Sequence, residues 1–110
     1  MPVYVDDVRF AYRGMIMCHM WSESEDELHA MADAIGVARR WFQRPPAASL
    51  AHYDICRSKR RLAVALGAVE ADRFGALAFV AEQRGDEVML RRIAARRESR
   101  QDVRPEIPRA

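Results

Sequence analysis

The chain has 110 residues, enough for one domain whose core buries roughly two-thirds of the unfolded surface. Half of the residues are hydrophobic and only two are cysteines, Cys18 and Cys56, far apart and without CxxC spacing, which argues against a disulfide scaffold. The formal net charge of +2 conceals a bipolar chain: residues 22–33 carry Glu23, Glu25, Asp26, Glu27 and Asp33, whereas residues 91–110 carry seven arginines against Glu98, Asp102 and Glu106.

The start, Met1-Pro2-Val3-Tyr4-Val5-Asp6-Asp7, lacks the basic and apolar regions of a signal peptide. No apolar run approaches the ~20 residues of a membrane span, so a cytoplasmic protein without a membrane partner is expected. Val3-Tyr4-Val5 reads as a strand that delivers Asp6 and Asp7 at its C-terminal end. Residues 9–14 read as a loop ending in Gly14. Met15-Ile16-Met17-Cys18-His19-Met20-Trp21 is a nearly continuous apolar run, the pattern of an interior strand in an α/β sheet. His19 is its one polar side chain, read first as a satisfied core histidine and alternatively as a ligand contact.

Ser24-Glu25-Asp26-Glu27 forms a capping box, Leu28, Met31, Ala32 and Ile35 follow at helical spacing, and Gly36 supplies the stop, which predicts a helix over 24–35. Residues 37–43 are predicted as a further strand, with Val37, Arg39 and Trp41 on one face. Pro45-Pro46 opens a loop. His52-Tyr53-Asp54-Ile55 reads as extended, and Ser58 as the cap of a second helix over 58–68. Helices are expected over 71–84 and 86–97, broken at Gly85. The expected organisation is a compact α/β core over 1–70, a helical extension over 71–98 and a flexible tail over 99–110. The fold class is α/β, a small and mostly parallel sheet flanked by helices, with a helical C-terminal extension.

Taken together, Val3-Tyr4-Val5-Asp6, Met17-Cys18-His19, Asp26-Glu27-Leu28-His29-Ala30, Gly36-Val37-Ala38-Arg39-Arg40-Trp41-Phe42, His52-Tyr53-Asp54, Ser58-Lys59-Arg60 and Leu66-Gly67-Ala68 resemble, in order and spacing, a family of short bacterial and phage proteins. That family is known as domain of unknown function 4031 (DUF4031). The resemblance covers about residues 1–70 and implies that they are the functional unit. It carries no activity, so no catalytic role follows from it.

The strongest chemical signal is Ser58-Lys59-Arg60-Arg61 at a helix start, where free N–H groups and the helix dipole favour an anion and disfavour consecutive cations. A phosphorylated small ligand, nucleotide-like, resolves that conflict. The competing reading makes Ser58 a plain cap and leaves the cations solvated or paired. His52 lies just upstream as an acid/base candidate, with Asp54 or Asp6 as its partner. Tyr53, Arg39 and Trp41 are expected around the ligand, because an arginine beside an aromatic can pair a phosphate while the ring stacks.

His19, His29 and His52, with Asp6 and Asp33, raise the possibility of a metal. No HExxH or paired CxxC spacing supports one, so no metal ligand is assigned and the cofactor is left unknown. There is no P-loop, no GxGxxG and no GxSxG elbow. Whether the protein is an enzyme stays open. The rival readings are an interaction module using the basic C-terminal helix, with nucleic acid possible but not favoured and homo-oligomerisation possible, and a metal-dependent hydrolase.

Overall fold

The computed structural model describes the backbone of residues 1–102 and side chains through Ser99. The chain forms two compact units, Met1–Ala76 and a second from Leu77 onward. The first contains strands β1 (Val3–Val5), β2 (Phe10–Tyr12), β3 (Met15–Ser22), β4 (Tyr53–Cys56) and β5 (Val69–Glu70), and helices α1 (Glu25–Ile35) and α2 (Arg57–Ala65). Helices α3 (Gly75–Arg84) and α4 (Glu87–Asp102) follow. Among the described residues no helix is long and apolar enough to cross a membrane.

The fold is mixed α/β as expected, but its sheet is mostly antiparallel rather than mostly parallel. β3 pairs antiparallel with β1, β2 and β4, and among the described residues only β1–β5 is a parallel pair. The cause lies in residues 9–14, which form β2 and a tight turn rather than a loop. Tyr12 pairs with Met15, and the two residues between them, Arg13 and Gly14, have φ of 49° and 78°. Two successive positive φ values are the signature of the type I′ turn, whose twist matches an antiparallel hairpin. The apolar run 15–21 is the central strand β3, paired on both edges.

Side chains alternate across each strand, and the register sorts them into two faces. Val3, Val5, Cys18, Met20, Tyr53 and Ile55 join Leu28, Ala32 and Ile35 of α1 and Ala63 of α2 in one core. Helix α1 keeps its predicted limits: the Ser24 side chain accepts from the Glu27 N–H, and Gly36 closes it in the left-handed region. Residues 39–41 form one 3-10 turn instead of a strand, and Gln43 makes an isolated bridge with His52.

Helix α2 is capped two residues earlier than expected. Cys56 occupies its N-cap, so Ser58 stands inside the first turn and does not cap it. In the second unit, Gly85 at φ 66° separates α3 from α4, and Ala78, Ala81 and Ile93 are buried. Helix α4 continues through Asp102, and the remainder of the predicted tail, 103–110, lies outside the described residues.

Candidate functional site

The face of the sheet opposite the core carries the polar residues. His52, Asp54 and Cys56 alternate along β4 and its approach, so they point the same way. His19 on β3 is directly opposite Asp54, and Met17 is opposite Cys56. Asp6 follows β1, where its backbone N–H donates to the His19 carbonyl at 3.1 Å. The strand register therefore lines up Asp6, His19, Asp54 and His52 in one row.

Each member of the row is held by identifiable bonds. Asp6, 1 % exposed, accepts from the backbone N–H groups of His19 (3.0 Å) and Val8 (3.3 Å) at Oδ1 and meets His19 Nδ1 at 2.8 Å through Oδ2. His52 Nδ1 lies 2.7 Å from the Leu50 carbonyl oxygen. The Gln43 side-chain amide donates to Asp54 Oδ2 at 2.8 Å. Asp54 Oδ1 lies 3.2 Å from His52 Nε2 and 3.9 Å from His19 Nε2.

A carbonyl oxygen can only accept, so His52 Nδ1 carries a proton. In the neutral ring Nε2 then presents a lone pair to Asp54 Oδ1, a shielded atom without a hydrogen bond, and in the imidazolium it presents an N–H to the same oxygen at 3.2 Å. Burial opposes the charged imidazolium, but the Asp54 carboxylate and the Leu50 carbonyl outweigh it and raise the His52 pKa. For Asp54, burial acts upward and the contacts from His52 and Gln43 prevail, holding its carboxyl below the usual range.

Beside this row lies a cavity of about 670 Å³ whose lining includes Arg13, Arg40, Trp41, Asp54, Cys56 and Lys59. Cys56 Sγ is 3.3 Å from Ser58 Oγ, and that contact with the N–H groups of the first turn of α2 lowers its pKa against the effect of burial. Cys18, on the core face, is pushed up to about 12 by burial and by the nearby Asp6.

The predicted site residues therefore divide. Asp6, His19, His52 and Asp54 come together. Lys59 and Trp41 reach the cavity, whereas Ser58, Arg60, Arg39 and Tyr53 are not among its lining residues. Arg60 instead donates from Nε to the Asp6 carbonyl at 2.8 Å and from Nη2 to Glu70 at 3.1 Å. Tyr53 points into the core, where its hydroxyl lies 2.7 Å from His29 Nδ1. His29 also packs against Phe42, on the far side of the sheet from His19 and His52.

Gln43, Cys56 and Arg13 are among the cavity and network residues that sequence reasoning passed over. Cys56 was open to detection, since 52, 54 and 56 share a strand period. Gln43 and Arg13 arrive through a bridge and a turn that carry no local signature.

The comparisons with known proteins bear on the same region. The family model described as Protein of unknown function (DUF4031) matches residues 3–83. No curated protein and no solved structure matches the chain. The matched span holds every residue of the polar row and of the cavity wall, and the chain is a member of the DUF4031 family.

Proposed function

We propose that the first unit binds a small phosphorylated ligand with a flat ring, of the nucleotide class, in the cavity beside α2. The observation that carries this reading is that Arg13, Arg40 and Lys59 line one cavity, none of them ion-paired with a carboxylate among the described residues. Lys59 stands in the first turn of α2 with its Nζ beside Gly36, the C-cap of α1, and it lines the cavity. Trp41, 47 % exposed and with the Arg40 guanidinium 5.3 Å from its ring centre, offers a surface for stacking. Arg57 and Arg60, by contrast, are already engaged by Asp7 and Glu70.

Calorimetric titration with nucleotides, sugar phosphates and inorganic phosphate tests the reading. Binding of a nucleotide, weakened tenfold or more by Lys59→Ala and by Arg40→Ala, is the expected result. Failure of all these ligands to bind, or binding that both substitutions leave unchanged, excludes the site.

A further inference from the structure

The geometry points to a divalent transition-metal site formed by His19 Nε2, His52 Nε2 and Asp54 Oδ1. This inference is independent of the ligand reading and concerns the polar row itself.

The case begins with protons. His52 Nδ1 faces the Leu50 carbonyl at 2.7 Å, and His19 Nδ1 faces the Asp6 carboxylate at 2.8 Å. Both partners are acceptors, so both imidazoles carry their proton on Nδ1 when neutral. Both Nε2 lone pairs are then directed at the same place, and the group between them is the shielded, unsatisfied Asp54 Oδ1. Three electron-pair donors facing one another repel unless a cation lies among them. A shared proton satisfies one pair of them, whereas a metal ion satisfies all three.

The supporting contacts are those a metal centre requires. A ligating histidine characteristically donates its other ring N–H to a carboxylate or a backbone carbonyl, which fixes the tautomer and the ring orientation. Asp6 and Leu50 provide one of each. Gln43 holds Asp54 Oδ2 and leaves Oδ1 to coordinate.

Ligand bonds of roughly 2.0–2.2 Å place donor atoms about 3.0–3.5 Å apart. His52 and Asp54 are already at 3.2 Å, and the three donor atoms all lie within 4.8 Å of one another. Closure needs only a small movement of His19, whose side chain is 29 % exposed and has Phe10 as a ring neighbour. Two imidazoles and one carboxylate suit zinc, or iron, cobalt and nickel in the divalent state, rather than magnesium or calcium. Three protein ligands leave further positions for water or an exogenous ligand.

The test uses the untagged chain, stripped by a chelator and titrated with Zn²⁺ alone, with Co²⁺ as a coloured reporter of coordination. One equivalent per chain is expected. His19→Ala or His52→Ala should weaken binding at least 100-fold, and Asp6→Asn by about 10- to 100-fold through loss of ring positioning. His29→Ala should leave it unchanged.

Nitrogen NMR of the unmodified protein gives a readout that does not depend on variants folding. His19 and His52 should each show the Nδ1–H tautomer, and Zn²⁺ should shift their Nε2 signals while the His29 signals stay in place. Absence of saturable Zn²⁺ and Co²⁺ binding overturns the proposal, as does binding that survives both histidine substitutions. Because no phosphorylated compound is present, the outcome is separate from that of the nucleotide titrations.

Discussion

His19 stands directly opposite Asp54 across the β3–β4 ladder, while Asp6 from the other edge of β3 grips the far nitrogen of the same imidazole. Asp6 makes three contacts through a carboxylate that is almost wholly buried. Replacing it by alanine strands two backbone N–H donors and one ring N–H. We expect Asp6→Ala to cost about 3–5 kcal/mol of stability, read from denaturant midpoints.

Arg60 should behave as a structural residue. Its guanidinium ties the Asp6 carbonyl to Glu70, joining the end of β1 to β5 through α2. Arg60→Ala is expected to lower stability by about 1.5–3 kcal/mol, the range for hydrogen bonds from a charged donor. Nucleotide titration of the same variant should match the unmodified chain, in contrast to Lys59→Ala.

The two cysteines should differ sharply toward an alkylating reagent. Cys56 has a lowered pKa at the N-cap of α2, so its thiolate is present at lower pH than that of an ordinary cysteine. Cys18 is buried and stays protonated across the working range. Iodoacetamide on the native protein should therefore modify one site, Cys56, as mass spectrometry would show. Ser58→Ala removes the first contributor to the lowered pKa, and the pH–rate profile of alkylation should move upward. Equal labelling of both thiols in the folded state would contradict this assignment.

Gly75 is a packing constraint rather than a turn residue. A Cβ added there would meet the Ala71 Cβ at 2.7 Å and the Trp21 ring at 3.3 Å. Ala71 has no flexible end to move, and Trp21 is 2 % exposed. Gly75→Ala should destabilise the first unit by about 1–3 kcal/mol, measured by thermal or chemical unfolding.

Local signals made the helices legible and left the sheet topology ambiguous. The Ser24–Glu27 cap and Gly36 bracket α1 by short-range chemistry, and the structure keeps both ends. Met15 to Trp21 is apolar on both faces, which suits a buried parallel strand and a central antiparallel one equally well. The deciding feature is the two-residue turn at Arg13-Gly14, whose arginine lacks the usual asparagine or aspartate preference for positive φ.

The site was legible in the same uneven way. The shared face of His52 and Asp54 follows from a spacing of two. Their meeting with His19 and Asp6 depends on cross-strand register, which no local pattern encodes. Lys59 reaches the cavity while its neighbour Arg60 turns away, because α2 starts at Arg57 and so rotates each residue of the basic run to its own side of the helix.

Strand β4 passes into α2 without an intervening residue, Cys56 being both the end of one and the cap of the other. A slip of one position in the pairing of β4 would bring His52, Asp54 and Cys56 into the apolar core and expel Tyr53 and Ile55. It would also twist Lys59 off the cavity wall. Misaligned chains would therefore lose cohesion and chemistry in the same step, so a half-working, stably folded form is not available to this domain. Length changes between His52 and Lys59 should be intolerable, while the exposed stretch 44–47 can lengthen without disturbing either face.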